Sequence, residues 1–162
     1  MKPICIITAR SKSKRLKNKN IKNFFGKPII SYPIKTAIKS KIFSRIIVST
    51  DSKKIGKISK KFGAEVPFLR GKKLSNDFAN TKDVLKDAIF RIGSENVRYH
   101  FCLYPTAALI NSSDLKKALN IIKKNDYDNL IAVTDFNFNP LRALCYKKNG
   151  LVDYRSEEHT SE

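Results

Sequence analysis

The sequence predicts an α/β fold: a mostly parallel sheet with helices on both faces. Two observations carry this expectation. Short runs rich in Ile, Val, Leu and Cys alternate with segments whose apolar residues recur at helical spacing. No internal repeat or low-complexity linker interrupts that alternation.

The elements follow in order. Residues 3–8 form a β-rich apolar run that reads as the first strand. A helix is predicted over 31–40, with Ser31 as its N-cap, Pro33 in the first turn, and Ile34, Ala37 and Ile38 at helical spacing. Residues 45–49 read as a second strand ending at Thr50-Asp51. A helix starts at Ser52, carries Ile55, Ile58 and Phe62 on one face, and stops at Gly63. Residues 64–68 give a third short strand, ended by Pro67 and an Arg70-Gly71 turn. Asn80 or Thr81 caps a helix bearing Val84, Leu85, Ala88, Ile89 and Ile92, and 98–103 is the fourth strand. Residues 111–113 open another helix with Leu115, Leu119 and Ile122 inward, and 130–134 and 141–146 supply two more strands.

Composition narrows the class. A chain of 162 residues with 41% hydrophobic content is one globular domain by length. No apolar run reaches the ~18 residues of a membrane span, and the start lacks the apolar core and cleavage site of a signal peptide, so a cytoplasmic protein without a membrane partner is expected. Cys5, Cys102 and Cys145 lie in apolar runs with no paired spacing and no nearby histidine; they read as small buried hydrophobes, neither metal ligands nor disulfides. His100 reads as structural. The formal net charge is +19, but most lysines are scattered in pairs such as Lys53-Lys54 and Lys116-Lys117 along helix faces. That is the pattern of solvated surfaces, and nucleic acid is not the expected partner.

Charge gathers in one place. Beyond the first strand come Arg10, Lys12, Lys14, Arg15, Lys17 and Lys19. Ligands of open α/β sheets sit beyond the carboxyl ends of the strands, so a cationic loop there is suited to a polyphosphate. Arg10 can grip phosphate through two parallel N–H bonds, Lys14 and Lys19 add mobile point charges, and Ser11 and Ser13 can donate hydrogen bonds. Asp51 reaches the same edge, where it either faces the ligand or caps the following helix. Tyr104, after the fourth strand, can stack or hydrogen-bond.

These residues fall into ordered motifs: Ala9-Arg10-Ser11-Lys12-Ser13-Lys14-Arg15, Lys19-Asn20-Ile21-Lys22, Gly26-Lys27-Pro28, Val48-Ser49-Thr50-Asp51, 64–70, and Tyr104-Pro105-Thr106-Ala107. Together they resemble the acylneuraminate and pseudaminic acid cytidylyltransferases over roughly residues 2–150, and Tyr-Pro-Thr-Ala with Asn139-Pro140-Leu141-Arg142-Ala143 is more similar to the pseudaminic branch. The resemblance implies a Rossmann-like nucleotidyltransferase three-layer fold that transfers CMP from CTP to an acidic nine-carbon sugar, releasing pyrophosphate for surface glycan synthesis. A sialic or legionaminic acid enzyme is the alternative within the class, and a basic nucleic-acid-binding module the alternative outside it.

The same resemblance implies a nucleotide site of Ala9, Arg10, Ser11, Ser13, Lys14, Asn20, Arg70, Tyr104, Pro105 and Thr106, with Arg10, Lys14 and Lys19 acting on the phosphates and Arg142 on the sugar carboxylate. Ser11-Lys12 departs from the glycines common in the family, and Ala108 stands where proline is common. Asp77, Asn80, Thr81 and Asp83 belong to a segment that approaches the ligands in relatives. Magnesium is the implied cofactor, but the His-Asp-Ala-Gly-like segment holding its principal aspartates lies beyond residue 150 in relatives and is absent, so no residue is assigned to metal. A homodimer is implied for the full-length parent. Residues 155–162 resemble a translated sequencing adapter. The expectation is thus a truncated transferase domain over 1–154 with little activity, incomplete at its carboxyl end, and an artefactual tail.

Overall fold

The computed structural model describes residues 1–13, 16–76, 78–135, 144–147 and 151–154. The chain divides into two compact units, Met1–Asp126 and Tyr127–Glu162. In the first, strands β1 (Ile4–Thr8), β4 (Arg45–Ser49) and β5 (His100–Leu103) form an all-parallel sheet in the order β4-β1-β5. The register aligns Ile4 with Arg45 on one side and with His100 on the other, so all three strands point their carboxyl ends toward one edge.

β1 is central because its sequence suits two covered faces. Ile4, Cys5, Ile6 and Ile7 are all buried. Cys5 and Ile7 join a cluster with Ile34 and Ala37 of helix α1 (Ser31–Ser40), Ile55 of α2 (Lys53–Lys61) and Leu115 of α4 (Ser112–Asn125). Ile4 and Ile6 join a second cluster, with Ala88 of α3 (Thr81–Arg91) and the partly buried Leu85 and Ile89. The result is three layers, each buried Ile contributing about 1.5–3 kcal/mol.

Three caps follow from sequence. Ser52 accepts from the Ile55 N–H at the start of α2, Asn80 accepts from Asp83 in α3, and Asn111 forms a capping box with Asp114 in α4. α2 stops before Gly63, whose φ of +95° favours glycine.

Several expectations are corrected. The N-cap of α1 is Ile30, and Ser31 is the first helical residue. Residues 64–68 do not form a strand: only isolated parallel bridges, Ile47 to Glu65 and Thr50 to Leu69, run beside β4, because Pro67 lacks the N–H a continuous ladder needs. The fourth strand begins at His100, not 98. A hairpin escaped the sequence reading: β2 (Asn23–Phe24) pairs antiparallel with β3 (Lys27–Pro28) across Phe25-Gly26, both at positive φ, the backbone of a type I′ turn.

In the second unit, residues 130–134 form no strand. β6 (Leu144–Tyr146) pairs antiparallel with β7 (Val152–Tyr154), and the Lys147 N–H donates to the Leu151 carbonyl. Residues 141–143 of the strand expected there lie outside the described residues, as do 155–162. No helix among the described residues is long and apolar enough to cross a membrane.

Candidate active site

A cavity of about 710 Å³ opens at the carboxyl edge of the sheet. Its floor is set by the ends of β1 and β5, through Thr8 and Tyr104-Pro105-Thr106. One wall is the cationic loop with Arg10, Ser13, Lys19 and Asn20; the other is Arg70 with the 74–84 segment. Among the described residues that line it there is no carboxylate.

The loop is held at its root. Ala9 is fully buried, and its N–H donates to the Ser49 carbonyl at 2.9 Å, tying β1 to β4 where the loop leaves the sheet. Buried Asn20, on the 3₁₀ turn Lys19–Ile21, donates its Nδ2 to the Arg10 carbonyl at 2.9 Å. Arg10 Nη1 donates to the Asn76 carbonyl at 2.9 Å, and Asn76 Oδ1 accepts from the Phe78 and Ala79 N–H groups. Arg10 thereby links the two walls.

Arg70 is brought in by backbone: its N–H donates to the Thr50 carbonyl at 2.8 Å. Its side chain is 6% exposed, and Nε donates to Ser75 Oγ at 3.3 Å. Burial pulls its pKa below the ordinary arginine value; Asp51 and Asp87 oppose that shift and Arg10 reinforces it. Arginine stays protonated even so. A desolvated cation at a cavity wall is costly to fold around and favours an anionic ligand. On the floor, the Tyr104 ring is more than half exposed, and its hydroxyl lies 3.4 Å from Thr81 Oγ1.

Of the residues proposed from sequence, the structure brings together Arg10, Ser13, Lys19, Asn20, Arg70, Tyr104, Pro105 and Thr106. It does not bring Ala9 or Ser11 to the wall: Ala9 is core, and the Ser11 hydroxyl donates to Asp51 Oδ2 at 2.6 Å instead. Asp51 is neither a helix cap, a role Ser52 fills, nor a lining residue. Lys14, Asp77 and Arg142 lie outside the described residues. Thr8, Leu16, Leu74, Asn76, Ala79 and Val84 were missed as lining residues, while Thr81, from the segment that the resemblance pointed to, does line the cavity.

His100 stands at the opposite, amino edge, with its Nε2 3.0 Å from Ser94 Oγ and its pKa lowered mainly by burial. Cys5 is buried, which pushes its thiol pKa up strongly, and burial likewise raises Cys102. Among the described residues no three His, Cys, Asp or Glu side chains gather where they could hold a metal ion.

A parallel sheet between helical layers, with a cationic cavity past its carboxyl edge, defines an α/β nucleotidyltransferase fold. Solved structures agree: a CMP:2-keto-3-deoxy-manno-octonic acid synthetase complexed with CTP superposes with a TM-score of 0.66 at 21% identity, over 78% of this chain and 49% of that one. The family model described as cytidylyltransferase matches residues 4–160, and the chain belongs to that family. A pseudaminic acid cytidylyltransferase of Campylobacter jejuni is 41% identical over 98% of this chain and 69% of its own length. An N-acylneuraminate cytidylyltransferase of Streptococcus agalactiae is 38% identical over 86% of this chain and 34% of its own. The chain spans about half the length of the solved structure it matches.

Proposed function

We propose that the chain binds CTP in the cavity at the carboxyl edge and serves the transfer of CMP to an acidic nine-carbon sugar, pseudaminic acid in the first place. In this reaction a sugar hydroxyl oxygen attacks the α-phosphorus of CTP. The new oxygen–phosphorus bond forms as the α–β phosphoanhydride bond breaks, pyrophosphate leaves, and the hydroxyl proton passes to solvent. Such chemistry depends on positioning and on neutralising charge rather than on a protein nucleophile.

The observation that carries the reading is the convergence of Arg10, Lys19 and Arg70 on one cavity at the carboxyl edge of the sheet. Arg10 and Arg70 suit the phosphate oxygens, Lys19 the departing pyrophosphate, and the exposed Tyr104 ring the base. The sugar is assigned from the name of the Campylobacter jejuni relative. Sialic acid is the second reading, favoured by the Streptococcus agalactiae relative, and legionaminic acid stands beside it through a 34% identical Legionella pneumophila synthase. Magnesium, a homodimeric parent and a cytoplasmic location accompany the reading as expectations of the family, and no step is routed through the metal.

Isothermal titration with CTP and magnesium tests the site; heat of binding that is absent for a random oligonucleotide is the expected result. Pyrophosphate release on adding pseudaminic, sialic or legionaminic acid ranks the sugars. No CTP binding at millimolar concentration overturns the assignment.

A further inference from the structure

Ser11 stands in the loop beside the cavity-lining Arg10 and Ser13, where a side chain aimed at the cavity would obstruct the approach of backbone to a ligand. The structure shows where it goes. The Ser11 N–H donates to Asp51 Oδ1 at 2.7 Å, and the Ser11 hydroxyl donates to Asp51 Oδ2 at 2.6 Å. One carboxylate thus spends one oxygen on the backbone and the other on the side chain of a single residue. Neither Ser11 nor Asp51 lines the cavity, whereas Arg10 and Ser13 on either side of Ser11 do.

We propose that Asp51 is a positioning residue of the nucleotide site, acting through Ser11. It clamps the cationic loop to the carboxyl end of β4 with the Ser11 side chain turned away from the cavity, so that Arg10 and Ser13 face the triphosphate. The inference rests on the nucleotide-site reading given above.

Three features converge on it. Hydrogen bonds to an ionised acceptor are the strong ones, and both here are short. The clamp works against a second strut: Asn20 holds the Arg10 carbonyl while Asp51 holds the next residue's N–H, so the peptide unit between Arg10 and Ser11 is gripped at both its oxygen and its nitrogen. Asp51 also attracts the Arg70 guanidinium, offsetting the mutual repulsion of Arg70 and Arg10 across the cavity. A carboxylate behind the loop steadies two like charges without neutralising the wall that meets the phosphates.

The test is a double-mutant cycle on ligand affinity in the whole chain. Asp51→Ala is expected to weaken CTP about tenfold or more, the scale of losing a bond to a charged acceptor, while CMP, which lacks the β and γ phosphates, weakens less than about threefold. Asp51→Asn retains one accepting oxygen for the backbone N–H and falls between. Ser11→Gly keeps that N–H and costs less than about threefold, and the effect vanishes in the Asp51→Ala background, because residues acting as a unit are not additive. Circular dichroism confirms folding, and if Asp51→Ala does not fold, Asp51→Asn and Ser11→Gly carry the comparison. CTP binding by the unaltered chain together with full affinity in Asp51→Asn, or equal losses for CTP and CMP, overturns the positioning role; failure of the unaltered chain to bind CTP overturns the site itself.

Discussion

The two edges of one sheet offer a controlled comparison. At the carboxyl edge, Arg10, Lys19 and Arg70 surround a cavity of about 710 Å³ with no lining carboxylate among the described residues. At the amino edge a smaller hollow of about 440 Å³ is also cationic, lined by Arg98 and Lys123, but there Arg98 pairs with Asp126 and lies over the Tyr99 ring. Both partners of that pair are largely exposed. With a chain as basic as this one, positive charge by itself marks nothing. What separates the edges is burial of the cation: Arg70 is buried, whereas Arg98 is largely exposed.

The largest effect expected to sharpen this contrast is Arg70→Met. Losing a desolvated guanidinium should weaken CTP about tenfold to a hundredfold, since bonds to charged groups contribute about 1.5–3 kcal/mol. Thermal stability should not fall, because a buried cation is itself costly; a large drop in Tm with unchanged affinity would reassign Arg70 to structure. Next is Lys19→Ala, with a loss of about tenfold and a shallower salt dependence of CTP binding. Tyr104→Phe keeps the ring and removes the hydroxyl near Thr81, so titration should register less than about threefold.

The amino edge supplies the smallest effects. Arg98→Ala should leave CTP affinity unchanged and cost at most about 1 kcal/mol of stability in denaturant titration, as exposed ion pairs do. His100 carries a pH signature of its own: its pKa in the folded state lies below the ordinary value near 6.5. Above that value both states are neutral there and nothing is lost. As pH falls through it the unfolded chain takes up the proton first, so Tm should decline, and less steeply in His100→Gln. A loss of CTP affinity in Arg98→Ala equal to that in Arg70→Met would erase the distinction between the edges.

The sheet and its site were readable to different depths. β1, β4, α1 to α4 and the Asn80 cap follow from apolar spacing and cap chemistry that are local in sequence, whereas the cap of α2 is Ser52 and not Asp51. Arg10 and Tyr104 could be placed at one edge because both follow parallel strands. The bonds that shape the site were not readable, since each joins residues far apart: Ser11 to Asp51, Arg10 to Asn76, Arg70 to Thr50. Residues 64–68 misled for a related reason. Their composition favours extended chain, but Pro67 limits pairing to isolated bridges, and pairing is decided by the neighbour rather than by the segment.

The central position of β1 also has a bearing on how the protein is made. Of the three strands of the sheet this one is translated first; β4 and β5, which satisfy its two rows of backbone groups, come later, and β5 only after α3. An apolar segment therefore waits with both edges open until distant partners arrive, the arrangement that slows folding and invites aggregation. Nascent chains stalled before residue 100 should depend most on chaperone protection.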